Sequence, residues 1–165
     1  MHVGPLRQSD EVTVREWAIA YLTDYLRHYA ATCGRTLSGD DIAAHIDAHD
    51  LDSVLWHDVV HADYADTEYV GTMREGNAPL GMILATTRFD PFLRVPVGVV
   101  KWIYVAPRHR KRGISGELVS SARTWMKKQG IDVIETTLAA DNEAALALYR
   151  KAGLEPLERR LAARA

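Results

Sequence analysis

Cysteine, long apolar runs and a targeting leader are all missing or scarce in this chain of 165 residues. Cys33 is the only cysteine, so an internal disulfide is excluded and a buried, unreactive thiol is expected. No apolar run approaches the roughly 20 residues that span a bilayer, and no basic-then-apolar leader opens the sequence. The composition is 47% hydrophobic and 25% charged, which is ordinary for a globular protein. We therefore expect one cytoplasmic domain over residues 1–165.

Two common phosphate-binding motifs are also missing. The G-x-G-x-x-G dinucleotide motif does not occur, and neither does G-x-x-x-x-G-K-[ST]. A metal centre is not expected either. His57 and His61 have the i, i+4 spacing of ligands on a helix, but no third ligand accompanies them.

Positive charge is absent from a long stretch of the chain. Residues 36–73 contain no Lys or Arg but nine Asp or Glu residues. Residues 1–87 carry a net charge of −9, and residues 88–165 carry +7. The basic half suits a polyanionic cofactor, and the acidic half suits a cationic acceptor such as an amine. Alternatively, the acidic residues only solvate helix surfaces and cap helix ends.

A strand, a basic glycine-containing turn and a helix follow one another after residue 98. The apolar pattern of Val99–Val105 predicts a strand that Pro107 ends. The first N–H groups of the next helix lack internal acceptors, and the helix dipole is positive there. Gly113 and Gly116 allow the backbone to approach a phosphate closely. The segment is therefore interpreted as a pyrophosphate-binding turn.

A second motif lies about thirty residues downstream, in residues 142–154. Asn142 or Asp141 can cap a helix that ends at Gly153. Ala145, Leu148 and Tyr149 fall on one face of that helix. The segment before it, residues 133–138, has the pattern of a strand.

Together the two motifs resemble those of the Gcn5-related N-acetyltransferase (GNAT) superfamily. Arg110-x-x-Gly113-x-Ser115 is similar to its acyl-CoA loop, [Q/R]-x-x-G-x-[G/A], with Ser115 as a departure. The second motif is similar to N-x-x-A-x-x-x-Y-x-x-x-G-F, with Leu154 in place of Phe. The resemblance covers roughly residues 68–158. It implies an α/β fold (α+β) with a mixed, mostly antiparallel central sheet flanked by helices.

The resemblance further implies an acetyl-CoA-dependent N-acetyltransferase. An amine attacks the acetyl thioester directly within a ternary complex, and Tyr149 protonates the departing thiolate. The acceptor is a small-molecule amine or a peptide N-terminus or lysine. The residues implied in acetyl-CoA binding are Ile103, Tyr104, Val105, Arg110, Lys111, Arg112, Gly113, Ile114, Ser115, Gly116 and Asn142.

The general base is not identified by the sequence. Many relatives place a Glu in the strand before the CoA loop, whereas this chain has Val99, Val100, Lys101 and Trp102 there. The remaining candidates are Glu68, Glu135, His57, His61 or a water chain. Two other functions stay open: an acyl-CoA-binding sensor without catalysis, and a nucleic-acid binder that uses the basic residues 108–112.

The remaining elements are predicted from periodicity and turn residues. Helices are expected over residues 12–33 and 42–49, and strands over 68–74 and 80–87. Residues 50–65 are ambiguous, and residues 89–96 are expected to form a loop. Only twelve residues follow Gly153, enough for one strand over 154–161. The open sheet edge is then covered by a homodimer or kept soluble by Arg159, Arg160 and Arg164.

Overall fold

A computed structural model describes residues 1–157. The strands are β1 (His2–Gly4), β2 (Glu68–Glu75), β3 (Ala78–Asp90), β4 (Val95–Val105) and β5 (Val133–Thr136). The helices are α1 (Glu11–Thr32), α2 (Gly39–Ala48), α3 (Leu51–Tyr64), α4 (Ile114–Lys128) and α5 (Glu143–Lys151). Short 3-10 helices cover Gln8–Asp10 and Pro107–His109.

The five strands form one sheet in the order β1-β2-β3-β4-β5. All neighbouring pairs are antiparallel except β4 and β5, which are parallel. One hydrophobic core lies between the sheet and α4 and α5, and it contains Leu118 and Met126. The other lies on the opposite face beneath α1 and α3, with Trp17 and Trp56. The predicted mixed, mostly antiparallel sheet flanked by helices is confirmed.

The early helices form for reasons visible in the sequence. Ser38 caps α2 in a reciprocal arrangement, because its hydroxyl accepts the Asp41 N–H while the Asp41 carboxylate accepts the Ser38 N–H. The ambiguous stretch before residue 65 is the helix α3. Its N-cap, Asp50, lies in the left-handed region at φ 48°, where a short polar side chain is tolerated.

Two predictions of local structure are wrong, and one strand was missed. Half of the expected loop over residues 89–96 is strand, since β3 continues to Asp90 and β4 begins at Val95. The Asp90 carboxylate accepts the N–H groups of Phe92 and Leu93 and so closes a tight hairpin. Strand β5 ends at Thr136 rather than residue 138, and strand β1 was not predicted at all.

Two further expectations concern exposure and the chain end. Cys33 is partly exposed rather than buried, because it follows the last residue of α1. Residues 154–157 are not a strand, and the rest of the strand predicted to residue 161 lies outside the described residues. No helix within residues 1–157 is long and apolar enough to cross a membrane.

Candidate acyl-transfer site

An extra residue in β4 divides this strand into two halves. Val100 pairs with Ala85 and Trp102 pairs with Leu84, so Lys101 has no partner in β3. This bulge reverses the alternation of side chains. Val100 faces the core under α4 and α5, whereas Trp102 faces the core under α1 and α3.

The two halves of β4 have different neighbours on the β5 side. Parallel pairing with β5 runs from Val97–Val133 to Val100–Thr136 and then stops. Within the described residues, the edge of β4 after the bulge pairs with no strand. A free strand edge presents backbone N–H and C=O groups that an extended ligand can pair with. Ile103, Tyr104 and Val105, which were predicted to bind the pantetheine arm, lie on this edge.

The predicted diphosphate loop follows β4 directly and turns into α4. Lys111 and Gly113 both adopt left-handed backbone conformations, at φ 62° and 80°. Gly113 is the N-cap of α4, and no side chain among residues 1–157 caps this helix end. The amides of Ile114, Ser115 and Gly116 therefore form the open N-terminus of α4, where the helix dipole favours an anion. A Cβ added to Gly113 would meet no protein atom within 4 Å, so the space above the loop is open.

The arginines of this loop differ in what they contact. The Arg110 Nε donates to the Val105 carbonyl over 3.1 Å, and its guanidinium lies 5.7 Å from the centre of the Tyr104 ring. Arg110 therefore holds the loop against the end of β4 as well as adding charge. Arg112 lies 3.7 Å from Glu75. Lys111 is exposed, with no ion pair among the described residues.

Tyr149 projects from α5 into the core beside the point where β4 and β5 separate. It is 5% exposed and lines a small apolar pocket with Val100, Val119 and Ile134. Burial raises the pKa of the Tyr149 phenol, and the Thr136 side chain, whose hydroxyl donates to the Val100 carbonyl over 3.1 Å, partly offsets that rise. Thr136 is the last β5 residue that pairs with β4. Tyr149 thus packs beside Val100, a residue of the last β4–β5 pair before the free strand edge.

Tyr21, on the helix predicted over residues 12–33, also belongs to this region. Its ring centre lies 6.0 Å from that of Trp102 in an edge-on arrangement. Burial raises the pKa of Tyr21, and Tyr21 in turn raises the pKa of Tyr149 electrostatically. Tyr21 packs with the core under α1 and α3, whereas Tyr149 belongs to the core on the other face of the sheet. The four-residue spacing of tyrosines on α1 was visible in the sequence, but its position beside Tyr149 was not.

Asn142 caps α5, because its side-chain oxygen accepts the Ala145 N–H over 3.0 Å. Neighbouring Asp141 lies 3.1 Å from the Nδ1 atom of His28 on α1. This contact fastens the loop between β5 and α5 to the helix that carries Tyr21. Asn142 therefore has a structural role in the described residues beside the cofactor contact predicted for it.

The candidate general bases differ in their surroundings: the two glutamates are in ion pairs, and the two histidines are on the surface. Glu135 lies 2.6 Å from Arg88 in an ion pair. Glu68 lies 3.6 Å from the Nζ atom of Lys101, the bulge residue, which is also 4.0 Å from Asp58. The two histidines on α3 are exposed. Within residues 1–157 no group of three or more His, Cys, Asp or Glu side chains could hold a metal ion.

Comparison with known proteins agrees with this geometry. The acetyltransferase (GNAT) family profile matches residues 42–154. The chain belongs to this family. The matched region begins at residue 42, whereas the resemblance seen in the sequence begins only at about residue 68. The matched region includes both motifs. Acetyl-CoA is the cosubstrate of the family, in agreement with the sequence prediction.

Individual relatives are more distant. The chain is 33% identical over 83 residues to an aminoglycoside N(6')-acetyltransferase type 1 of Acinetobacter haemolyticus, which is 48% of this chain and 57% of that protein. It thus spans little more than half the length of this curated relative. The solved structure of AAC(6')-Iy with a bisubstrate analogue of CoA and acetylneamine has a TM-score of 0.68 at 16% identity, over 99% of this chain and 97% of that one. A transcriptional regulator from Bacillus halodurans has a TM-score of 0.73 at 14% identity, over 98% and 97%. These two structures show the shared fold.

Proposed function

We propose that this chain is a single-domain N-acetyltransferase that transfers the acetyl group of acetyl-CoA to a cationic small-molecule amine. The observation that carries the proposal is the separation of β4 and β5 directly after the Val100–Thr136 pair, with Tyr149 packed beside Val100. A free strand edge for the pantetheine arm and an uncapped helix N-terminus for the diphosphate adjoin it.

In the proposed ternary complex, acetyl-CoA extends from the α4 N-terminus along Ile103–Val105. The thioester then reaches the point where the strands separate. The amine nitrogen attacks the carbonyl carbon, and a C–N bond forms as the C–S bond breaks. Tyr149 gives its proton to the leaving sulfur and recovers one from solvent, since the phenol is kept neutral by burial. The acceptor ammonium loses one proton to water before the attack, the acylated nitrogen loses a second proton to water after it, and the products are the N-acetylated amine and free CoA.

A cationic acceptor is supported by charge and by relatives. The acidic stretch of residues 36–73 includes α2 and α3, and α3 packs on the sheet face opposite α4. Lys101 at the bulge is surrounded by Asp58 and Glu68, so this local group of three keeps a net negative charge. The relatives named aminoglycoside N(6')-acetyltransferases make an aminoglycoside the first acceptor to test.

The test is a screen of amines with acetyl-CoA that follows release of the free CoA thiol. Aminoglycosides, linear polyamines, amino acids and peptides with a free N-terminus or lysine form the panel. We expect turnover with polycationic small molecules. An absence of turnover with every amine, in a protein that binds acetyl-CoA by calorimetry, would contradict catalysis.

A non-catalytic acyl-CoA-binding module is the second candidate. It is favoured by the lack of an acid in β4, where Lys101 occupies the bulge and is paired with Glu68. Such a protein would bind acetyl-CoA through the same loop without releasing CoA. The same screen separates the two functions, because binding without turnover identifies the module.

A further inference from the structure

Three tyrosines form a stacked row along one side of α1. Tyr21, Tyr25 and Tyr29 are spaced by four residues, so they lie on one helix face. Successive ring centres are 6.3 Å and 6.2 Å apart, with interplanar angles of 21° and 27°. Tyr25 and Tyr29 are each 47% exposed. We call these three residues the tyrosine row.

The inner end of the tyrosine row lies in the candidate site. Tyr21 contacts Trp102, the first β4 residue after the bulge, which lies just past the last β4–β5 pair, Val100–Thr136. The indole N–H of Trp102 is buried and has no hydrogen-bond partner among residues 1–157. A buried hydrogen-bond donor without a partner costs free energy. The Trp102 indole N–H is therefore a donor at this end of the row that no described residue uses. The row therefore leads from the reacting centre to the protein surface.

The outer end of the tyrosine row is exposed, and charged side chains lie beside it. Asp24 precedes Tyr25 and is exposed, with Arg27 at 3.7 Å. Asp141, held by His28, lies beside the same stretch of α1 and is also exposed. Exposed aromatic rings with carboxylates beside them are suited to a ligand that has both apolar ring faces and ammonium groups. Ammonium groups are attracted to the faces of tyrosine rings within about 6 Å.

We propose that the tyrosine row is the acceptor platform of the proposed acetyltransferase and selects polycationic amines that contain rings, such as amino sugars. The inference rests on the proposed function and adds a specificity determinant to it. One amino-bearing ring lies at Tyr21 beside the thioester. The following rings of the same acceptor stack along Tyr25 and Tyr29, with their ammonium groups near Asp24 and Asp141. A linear polyamine has no ring faces and gains less from the row.

The test compares the double variant Tyr25→Ala/Tyr29→Ala with Tyr25→Phe/Tyr29→Phe, which keeps both rings. Tyr64→Ala is the matched control, because Tyr64 is 84% exposed at the end of α3 and outside the row. With kanamycin as acceptor, the double Ala variant should raise KM about tenfold. Its kcat and its KM for acetyl-CoA should stay within about twofold. The double Phe and Tyr64→Ala variants should resemble the unsubstituted protein, and spermidine should show a much smaller change in KM.

Binding supplies a readout that does not depend on turnover. Calorimetry of kanamycin with the protein saturated in CoA should give a Kd about tenfold weaker in the double Ala variant. Weaker binding in that variant, without CoA release from any amine, would retain the platform and reject the acetyltransferase. Equal kanamycin Kd and KM in the double Ala and unsubstituted proteins would overturn the platform, as would an equal loss in Tyr64→Ala. Failure of the unsubstituted protein to bind kanamycin would also overturn it. Thermal melting of each variant checks that α1 is intact.

Discussion

Gly113 is the residue on which the cofactor loop depends most directly. Its φ of 80° favours glycine, and no protein atom lies within 4 Å of the position a Cβ would take. Gly113→Glu should therefore weaken acetyl-CoA binding by strain, bulk and repulsion of the diphosphate. We expect a loss of at least about tenfold in affinity by calorimetry, since tenfold is only about 1.4 kcal/mol.

A second glycine separates backbone strain from the effect on the ligand. Gly130 has φ 72°, also with no neighbour within 4 Å, but it follows the C-terminus of α4. Both Gly130→Glu and Gly113→Glu place a side chain at a positive φ, so they should lower the free energy of unfolding by similar amounts. Gly130→Glu should nevertheless leave acetyl-CoA affinity unchanged. An unchanged acetyl-CoA affinity in Gly113→Glu would contradict the assignment of this loop to diphosphate binding.

Tyr149 is the proposed acid, and its removal should affect the chemical step. Tyr149→Phe keeps the ring that packs between α5 and the sheet. It should lower kcat by about 10²-fold or more, with little change in acetyl-CoA affinity. Burial raises the pKa of this phenol, so it remains protonated to a pH above the ordinary phenol value of about 10. The kcat of the unsubstituted protein should therefore show no loss from Tyr149 up to pH 9. Wild-type kcat in the Phe variant would return Tyr149 to a packing role.

At the scale of elements, a buried ion pair positions the start of α1. Arg74 on β2 is 1% exposed and Asp10 is 2% exposed. An Arg74 Nη1–H donates to Asp10 Oδ1 over 3.0 Å, and a second short contact joins Nη2 and Oδ2. Arg74 also donates to the Pro5 carbonyl over 3.2 Å. The pair thus ties the segment before α1, and with it the helix of the tyrosine row, to the sheet.

Asp10→Ala should be strongly destabilising, because it leaves the buried Arg74 charge without its partner. Urea denaturation should show a loss of about 3–5 kcal/mol. Adding Arg74→Met should recover part of it, since no unpaired charge remains. Glu11→Ala is the control: its 3.7 Å contact with Arg15 is exposed, so the loss should be at most about 1 kcal/mol. Equal losses in the two single variants would contradict this account.

The elements also show what sequence could and could not predict. Helix α4 and the helix that begins after Asn142 were predicted because caps and apolar spacing are local signals. The β4 bulge was not, since the nearly continuous apolar run of Val99–Val105 has no local sign that Lys101 lacks a partner in β3. Strand β1 was missed because three residues carry too short a pattern. The tyrosine row needed the fold, because only tertiary packing decides which ring of an evenly spaced set meets Trp102.

At the scale of the whole molecule, the sheet has an edge at β5. Within residues 1–157 this strand pairs with β4 alone. Val133 at its start is 37% exposed, and the neighbouring β3–β4 hairpin exposes Phe89 by 62% and Phe92 by 94%. Open edges with adjacent apolar surface are usually covered or paired. We therefore expect a homodimer in which β5 of one copy lies against β5 of the other.

Sedimentation velocity at tens of micromolar tests this expectation. The full chain should sediment as a dimer, and Val133→Lys should shift it to monomer, because a lysine at a strand edge opposes pairing. Val54→Lys is the matched control, since Val54 is 52% exposed on α3, away from the edge.

A chain that ends at Pro156 shows whether the last nine residues decide the outcome. If they keep the edge soluble through Arg159, Arg160 and Arg164, the full chain should be a monomer and the shortened chain should associate. A monomeric full chain would therefore reject the dimer and favour the charged residues as the protection of this edge.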